Sequence, residues 1–547
     1  MVKKLFSEKN ILTLIAVMIL VLGVFLRVWQ LGSVPGGMNQ DEAFAGYEAY
    51  SILNYGMDSS GNRYPVYLNT WGSGMNALET YLMIPFIALF GVSAVTVRLP
   101  QCIVGCLTLL VFYLFLKKVS GERLALVGLF YLSICPWHIM LSRWGLESNL
   151  APGFVLFGLY FFVLGLEKRG FMILSALFYG LSLYTYATIW PVLPVIIFLQ
   201  LLYALYQRKL KFSPSLVISF LVLVFLATPL VLFLLVNKGY LEPINLPFMS
   251  IPRLTVMRGS EISFDNIPSN FKTMMDVLIN QRDGLSSNTA EGFGLYYKGG
   301  LWLALAGLLI MIFRLFKSLK DLSFDGTILM LPTLIGGIII GCLIEVNINR
   351  MNIIHLPIIM LASVTIYSVF ELLLRWKAIG IGAYALGAFA GIFLLISFER
   401  YYYTDYKDMI GETFQEGLEQ AVDRAVEIAG DQTTDSSKDS SGDQSVNSSP
   451  VQSMDQTGGG IIHVDGFNYS KVLLFSKEPV TEYISTVEYT NYPSEYLGVS
   501  RFGRFEFGEV DTYSDSIVYI IKPDKGEELE SLGFKVEYFG NAAVAYF

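Results

Sequence analysis

The sequence predicts a polytopic α-helical membrane protein that ends in a small α/β domain. Two observations lead to this prediction. Of its 547 residues, 54% are hydrophobic and 15% are charged, and long apolar runs recur from residue 11 to about residue 397. Soluble proteins carry about 25% charged residues on average. A soluble cytoplasmic enzyme, a disulfide-rich secreted scaffold and a disordered chain are therefore excluded.

The apolar runs predict the number of membrane crossings. A helix needs about 20 apolar residues to cross the hydrocarbon core of a bilayer. One apolar run, Leu78 to Gly91, is ambiguous as a membrane span because it is short and contains Pro85. Eleven runs are long enough to predict transmembrane helices: 11–31, 99–116, 124–141, 150–166, 171–187, 190–206, 214–236, 299–316, 326–344, 353–374 and 379–397.

The distribution of Lys and Arg predicts the orientation, because these residues gather in cytoplasmic loops. If 78–91 lies along the outer interface without crossing, the basic connections share one side with Lys3 and Lys4. This arrangement is favoured over a crossing, which would turn every basic cluster outward. It predicts a multi-pass protein of the cell membrane with a cytoplasmic N-terminus. The polar connections then share the outer side with the C-terminal tail: 32–98, 142–149, 237–298 and 345–352.

The tail after residue 397 differs in charge from the rest of the chain. It holds 27 acidic and 11 basic residues, a net charge of −16, whereas the preceding part has a net charge of +8. Nucleic acid is therefore not expected as a partner, because like charges repel. The pattern predicts a connecting helix over 398–429, a disordered Ser/Asp-rich loop over 430–460 and a small extracytoplasmic α/β domain over 461–547. Val472–Phe475 is predicted to be one of its strands.

Two adjacent carboxylates, Asp41 and Glu42, follow the first predicted span and precede a helical run. Ionisable groups beside hydrocarbon are costly and usually functional, so both residues are candidates for catalysis. The structural alternative is an acidic helix start, which the helix dipole favours.

A second polar segment, 136–149, lies between two predicted spans and contains Arg143 and Glu147. An interfacial aromatic belt accounts for Trp137 and Trp144 but not for Glu147. Arg143 and Glu147 are four residues apart, so an ion pair on one helix face is the structural alternative to a site.

A polar hexad, 347–352, includes Arg350, which could bind a phosphate with two parallel hydrogen bonds or lie among lipid headgroups. The long connection 237–298 is predicted to be functional because long loops in compact proteins usually are. The histidines are scattered, so no metal site is predicted from them. The polar and aromatic residues singled out as substrate-binding candidates are Tyr47, Trp71, Asn76, Trp144, Asn149, Gln281, Arg282 and Asn288.

These residues together resemble the GT-C superfamily of membrane glycosyltransferases. The resemblance rests on the first-loop Asp-Glu, on Arg98-Leu99-Pro100, and on the stretches 55–58 and 62–67. It covers roughly residues 10–400 and is closest to the branch of the protein O-mannosyltransferases and lipid A aminoarabinose transferases.

The resemblance implies an inverting transfer of a sugar from a polyprenyl-phosphate carrier to an acceptor hydroxyl of a protein, glycan or lipid outside the cytoplasm. Asp41 matches the aspartate that such enzymes use at the reacting centre, and Glu147 matches their second acidic position. The departing phosphate needs positive charge. Arg350 is the first candidate to supply it, followed by Arg98 and Arg143. Members often have Lys-Pro-Pro-Leu where this chain reads Gly74-Met75-Asn76-Ala77-Leu78. An arginine, or a divalent metal, would replace that lysine.

Three other functions compete with this one. An oligosaccharyltransferase normally has Trp in its outer domain, and the tail here contains none. A transporter or lipid flippase tends to show internal repeats, which are not evident here. A non-catalytic membrane receptor stays open, because the tail could bind a ligand.

Overall fold

The computed structural model describes residues 8–257, 262–439, 460–510 and 512–547. The helices that precede the tail form a bundle. Their bounds are α1 Glu8–Val28, α2 Gln40–Tyr55, α3 Leu78–Phe90, α4 Ala94–Ser120, α5 Glu122–Ile134, α6 Pro136–Leu141, α7 Ala151–Glu167, α8 Phe171–Ser182, α9 Ile189–Tyr206, α10 Pro214–Asn237, α11 Ile267–Asn280, α12 Gly300–Asp321, α13 Leu331–Leu343, α14 His355–Leu373 and α15 Lys377–Tyr402.

Among the described residues, nine helical segments are long and apolar enough to cross a membrane. All eleven predicted spans coincide with helical structure, but two are shorter than a full crossing: α5 has 13 residues and α8 has 12. Helices α7 and α13 reach 21 and 18 residues because a 3-10 turn precedes each of them. The third predicted span breaks at Cys135, because Pro136 begins the separate short helix α6. The polytopic helical fold is thus confirmed, and nine of the helical segments in the described residues have the length and composition of a membrane span where the sequence predicts eleven.

Helix α3 corresponds to the ambiguous apolar run and has 13 residues. At 1.5 Å per residue it extends about 20 Å, which is less than the bilayer core of about 30 Å. Its last two residues, Leu89 and Phe90, are strongly exposed. Helix α3 is therefore too short to cross a bilayer by itself.

The connections at one end of the bundle contact one another, and we call this end the loop face. The backbone N–H of Gly145 donates to Glu42, and that of Ile348 donates to Asp283, at 2.9 Å each. Pro65 pairs with Ser250 as an isolated β-bridge. The four polar connections recognised in the sequence, 32–98, 142–149, 237–298 and 345–352, therefore meet in one region.

The tail begins with helices α16 (Asp405–Thr413) and α17 (Leu418–Asp439) and then forms a seven-stranded sheet. The helix α17 extends into the segment predicted to be a disordered loop, and residues 440–459 of that segment lie outside the described residues. Two short two-stranded sheets precede the tail: β1 Tyr67–Leu68 with β2 Met75–Asn76, and β3 Ile244–Leu246 with β4 Met249–Ile251. The strands of the large sheet are β5 Ile462–Val464, β6 Glu488–Tyr489, β7 Val499–Phe502, β8 Phe505–Phe507, β9 Val518–Ile521, β10 Lys535–Phe539 and β11 Ala542–Tyr546.

The sheet has the order β10-β11-β9-β5-β8-β7-β6, with β5 parallel to both of its neighbours. Three further helices accompany it: α18 Tyr469–Ser476, α19 Val480–Thr486 and α20 Gly526–Ser531. The strand predicted at Val472–Phe475 is wrong, because these residues lie in α18. The Asn468 side chain caps that helix by accepting from the Ser470 N–H.

The C-terminal domain shares one hydrophobic core with the loop face. Phe44 of α2, Leu68 and Trp71 of the first loop, and Val472 and Leu474 of α18 belong to the same buried cluster. The Tyr47 hydroxyl donates to the Glu478 carbonyl at 2.9 Å. The domain is therefore packed onto α2 and the first loop.

Candidate functional site

Helix α2 begins at Gln40, directly after the cap residue Asn39, and the side chains of Asn39 and Glu42 both cap its first turn. The Asn39 side chain accepts from the Asp41 N–H, and the Glu42 carboxylate accepts from the Asn39 N–H. A capping box of this kind satisfies N–H groups that have no partner inside the helix. The acidic helix start weighed as a structural alternative is therefore present, but it uses the Glu42 carboxylate and only the backbone of Asp41.

The Asp41 carboxylate is half-buried and accepts a hydrogen bond from the indole N–H of Trp71 at 3.0 Å. Trp71 has a φ of 56°, in the left-handed region that a tryptophan rarely adopts. It is held there by neighbours: its carbonyl accepts from Leu497 at 2.8 Å, and the next residue, Gly72, pairs with Tyr496. A Cβ on Gly72 would lie 2.2 Å from the Ser494 carbonyl oxygen, so only glycine allows this approach.

Glu42 and Arg98 form an ion pair that is excluded from solvent on both sides. The Arg98 Nε and Nη2 atoms donate to the two oxygens of Glu42 at 2.7 and 3.1 Å. The remaining Arg98 hydrogen bonds go to the carbonyls of Leu31, Pro35 and Gly37. Since every donating nitrogen of this guanidinium has a protein acceptor, the pair holds the start of the first loop against α4.

Arg143 is also fully buried, and its guanidinium donates to backbone carbonyls at the end of α1 and beyond. It also lies 5.6 Å from the ring centroids of Tyr402 and Tyr403. Arg143 therefore binds backbone carbonyls, in contrast to the predicted alternative of an ion pair with Glu147. These bonds hold the end of α1 and the residues that follow it in place. The carbonyls that accept from Arg143 are those of Leu26, Trp29, Gln30 and Val34.

Glu147 lies at the start of a short 3-10 helix, Glu147–Leu150, which leads into α7. Its carboxylate accepts from the backbone N–H of Asn76, the last residue of β2. The half-buried Glu147 therefore faces the segment between the β1–β2 hairpin and α3. This is the segment in which the family's lysine is missing.

Glu79, in the first turn of α3, was not recognised from the sequence. It is 1% exposed, and neither carboxyl oxygen has a hydrogen-bond partner. Burial raises the pKa of Glu79 well above its ordinary value of 4.5, and the charges of Glu147, Glu42 and Asp41 raise that pKa further. Since a Cβ on Gly145 would lie 3.1 Å from Glu79 Oε1, Glu79 also faces the 142–149 connection.

These contacts bring three segments together around Glu79. The charges of Asp41 and Glu147, which are 106 positions apart in the chain, both act on its carboxyl group. The side-chain amide of Asn76 and the hydroxyl of Ser148 are buried without a partner in the same region. Buried polar groups without hydrogen bonds are rare in folded proteins and are expected where a ligand or water supplies the bond. We call the carboxyl groups of Asp41, Glu79 and Glu147, together with the neighbouring side-chain amide of Asn76, the carboxylate cluster.

A second group of predicted residues meets beside this cluster. Asn352 accepts from the Trp137 indole at 3.1 Å, and its amide donates to Asn149 at 3.0 Å. Trp144 and Asn288 line the same narrow cavity. The hexad 347–352 is thus in contact with the 142–149 connection.

The remaining predicted residues take different positions. Arg350 is half-buried and donates to the Glu345 carbonyl at 3.1 Å. Gln281 is buried and bridges the backbone of Tyr296 and Tyr297, whereas Arg282 is exposed. Tyr47 is buried in the core shared with the C-terminal domain, where it binds a backbone carbonyl. The geometry thus favours structural roles for Gln281 and Tyr47.

Within the part of the chain that the structure describes, no group of three or more His, Cys, Asp or Glu side chains is arranged to hold a metal ion. The divalent metal that the resemblance left open therefore stays a prediction.

Comparison with known proteins identifies the fold. The sequence model of the dolichyl-phosphate-mannose-protein mannosyltransferase family matches residues 78–232. ArnT from Cupriavidus metallidurans, in its crystal structure bound to undecaprenyl phosphate, shares 11% sequence identity and a TM-score of 0.55, with 98% of each chain covered. Its apo structure gives 11% identity and a TM-score of 0.54, with the same coverage. An Archaeoglobus fulgidus oligosaccharyltransferase, crystallised with Zn and sulfate, gives 14% identity and a TM-score of 0.47, covering 85% of this chain and 61% of that one.

The chain therefore has the fold of ArnT, in agreement with the fold that the resemblance in the sequence implies. Its likeness to ArnT extends over 98% of both chains, including the C-terminal domain. No functionally curated protein is similar enough to register a match. The polytopic fold and the C-terminal sheet domain are both confirmed.

Proposed function

We propose that this protein is an inverting glycosyltransferase that moves a sugar from a polyprenyl-phosphate-linked donor to an acceptor hydroxyl on the outer side of the membrane. The observation that carries the proposal is the carboxylate cluster, in which the charges of Asp41 and Glu147 act on the buried carboxyl group of Glu79, which has no hydrogen-bond partner. Catalytic sites are where burial and like charges are concentrated to shift pKa values. The shared fold with a protein crystallised with undecaprenyl phosphate supports the choice of donor.

Asp41 acts as the general base. As the acceptor oxygen attacks the anomeric carbon, its proton passes to the Asp41 carboxylate, and the bond between that carbon and the phosphate oxygen breaks. The carrier leaves as the polyprenyl phosphate, so the configuration at the anomeric carbon inverts. The Trp71 indole N–H fixes the orientation of the Asp41 carboxylate for this step.

Glu147 and Glu79 orient the acceptor in this proposal. Glu147 is held by the Asn76 N–H, and its half-buried carboxylate can also accept from a sugar hydroxyl. Glu79 has a raised pKa, so its protonated carboxyl group can donate a hydrogen bond where a carboxylate could only accept. The side-chain amide of Asn76 provides further donors and an acceptor.

Arg350 stabilises the phosphate in preference to Arg98 and Arg143. The two buried arginines have their guanidinium groups occupied by Glu42 or by backbone carbonyls. Arg350 is half-buried in a hexad that contacts the 142–149 connection, so its guanidinium lies closer to solvent than those of the two buried arginines. Charge stabilisation in the transition state is usually the largest catalytic contribution.

The test is the substitution Asp41→Asn in cells whose only copy of the gene carries it. General-base catalysis contributes about 10²- to 10⁴-fold, so transfer should fall by at least about 100-fold. Polyprenyl-phosphate sugars should then accumulate, measured by mass spectrometry of lipid extracts. The control Asp515→Asn makes the same change at an exposed residue of the C-terminal domain and should leave lipid-linked sugars unchanged.

The same proposal predicts binding of the product carrier. Purified full-length protein should bind undecaprenyl phosphate in native mass spectrometry, and Arg350→Ala should weaken that binding by about 10- to 150-fold, because a charged hydrogen bond contributes about 1.5–3 kcal/mol. Arg169→Ala removes an exposed charge from another connection and is the matched control. Unchanged lipid-linked sugars in Asp41→Asn cells together with absent carrier binding would contradict the proposal.

Adding EDTA to the transfer assay tests the divalent metal: loss of transfer that Mg²⁺ or Mn²⁺ restores would support it.

A further inference from the structure

A cleft of about 250 Å³ lies between the first loop and the C-terminal domain. The proposed chemistry accounts for one residue of its wall, Trp71, and leaves the rest without a role. Nearly half of the lining residues are aromatic, and they come from both sides of the cleft. These aromatic residues are Phe44, Trp71, Tyr469, Tyr483, Tyr489 and Tyr492.

The aromatic rings of the wall form two groups. Trp71 contacts Phe44 and Tyr469, with ring centroids 5.1 and 5.4 Å away, and those two rings are themselves 5.9 Å apart. On the side of the C-terminal domain, Tyr489 and Tyr492 are 6.1 Å apart. Tyr492 is 65% exposed, which leaves most of its ring available to a ligand.

The remaining wall carries neutral polar groups. None of the described residues that line the cleft is charged. The side-chain oxygen of Asn69 is buried without a hydrogen-bond partner. The polar lining residues are Ser59, Ser60, Asn69 and Thr255.

This combination favours a neutral ligand that has both apolar faces and polar edges. An anionic ligand such as a phosphate would find no cation in the wall, and a cationic ligand would find no carboxylate. Rings with apolar faces and polar edges pack on aromatic side chains while their hydroxyls bind neutral donors and acceptors. A neutral sugar has both features, and its hydroxyl can donate to the Asn69 oxygen. Without such a donor, burying that oxygen costs free energy.

The cleft reaches the carboxylate cluster through one residue. Trp71 lines the cleft with its ring and donates to Asp41 with its indole N–H. The turn that carries Trp71 is fixed by the C-terminal domain through Leu497 and by the 237–298 connection through Val256, whose N–H donates to the Gly72 carbonyl at 2.8 Å. A ring bound against Trp71 is therefore placed next to the proposed general base.

We propose that this cleft binds a neutral sugar ring of the acceptor, so that the substrate class of the enzyme is a carbohydrate-containing acceptor. The inference rests on the proposed function, because it places that ring beside Asp41. It assigns a role to the C-terminal domain, which supplies Tyr469, Tyr483, Tyr489 and Tyr492.

The test uses full-length protein in lipid nanodiscs on an array of neutral hexose and N-acetylhexosamine oligosaccharides, beside an array of Ser/Thr peptides. Wild-type protein should bind at least one neutral oligosaccharide. Tyr492→Ala should weaken that binding at least tenfold, and Tyr492→Phe should retain it because the ring is kept. Tyr538→Ala is the matched control, since Tyr538 is an exposed tyrosine on β10, at the opposite edge of the same sheet.

Three results would overturn the inference: no binding to any neutral oligosaccharide, binding that Tyr492→Ala leaves unchanged, or Tyr492-dependent binding to the peptides alone. Native mass spectrometry with undecaprenyl phosphate separates this failure from failure of the proposed function. If Tyr492→Ala and wild type bind that carrier equally while no oligosaccharide binds, the cleft assignment fails and the transferase stands. If wild type does not bind the carrier either, the donor assignment fails as well.

Discussion

Two glutamates of the loop face, Glu42 and Glu79, are both excluded from solvent, yet their surroundings are opposite. Glu42 pairs with Arg98 and also accepts from the Gly145 N–H. Glu79 has no hydrogen-bond partner at either oxygen and is surrounded by acidic neighbours. The comparison separates a carboxylate whose charge is balanced by an ion pair from a carboxyl group whose pKa is raised by burial and by its acidic neighbours.

The largest effect is expected from removing the partner of Glu42. Arg98→Ala leaves a buried carboxylate without its counter-charge, which costs about 3–5 kcal/mol of stability. Thermal unfolding of the purified protein should show a strongly lowered Tm. Arg98→Ala combined with Glu42→Leu should recover much of the loss, because no buried charge is then left unpaired. A Tm for Arg98→Ala equal to that of wild type would show that the pair does not hold the loop.

Glu79 should make the stability of the folded protein depend on pH. Its pKa is raised in the folded state, so above pH 4.5 the unfolded chain loses a proton that the folded chain keeps. Stability therefore falls as pH rises from 4.5 toward the folded pKa, by about 1.4 kcal/mol per pH unit from this group. In Glu79→Gln this contribution disappears, so the variant should gain stability relative to wild type between pH 5 and pH 7.

The measurement is the Tm of wild type and Glu79→Gln at each pH, with their difference as the readout. Glu412→Gln, which changes an exposed glutamate of α16, is the control. If the difference between wild type and Glu79→Gln stays constant from pH 5 to pH 7, Glu79 is not the protonated group inferred here.

The smallest effect is expected from a neutral contact on the same helix as Glu42. Tyr47→Phe removes one hydrogen bond, to the Glu478 carbonyl, and keeps the buried ring. A typical intramolecular hydrogen bond contributes about 0.5–1.5 kcal/mol, so the Tm should fall slightly. This variant gives the scale of an uncharged contact against which the Glu42 and Glu79 results are compared. A loss as large as that of Arg98→Ala would mean that burial alone, rather than charge, sets the cost.

The sequence predicted the bundle well because membrane spans are local signals. Each of the eleven apolar runs coincides with helical structure, and the difference in length arises where Pro136 interrupts one run and where α8 ends early at Ser182. The strand predicted at Val472–Phe475 is a helix because a short apolar run buried on all sides has no periodicity to separate the two structures. The cap at Asn468 was the available signal.

The site was predictable only in part. Asp41 and Glu147 stood out because each follows or precedes an apolar run, and the same criterion applied to Glu79, an acid in the first turn of the apolar α3, would have identified it as well. The pairing of Glu42 with Arg98 crosses 56 positions of sequence, which no local pattern encodes. The aromatic cleft combines residues more than 400 positions apart, such as Phe44 and Tyr492, so it exists only in the folded chain.

The core shared by α2 and the C-terminal domain has a consequence for dissecting the protein. A chain stopped near residue 400 would leave Phe44 and Trp71 without the Tyr469 ring that packs against both. The separated domain would in turn lose the cover that α2 provides at Gly46 for Leu474, a side chain that is fully buried. Neither fragment is an independent module, so point substitutions rather than truncations are the appropriate tools for studying this domain.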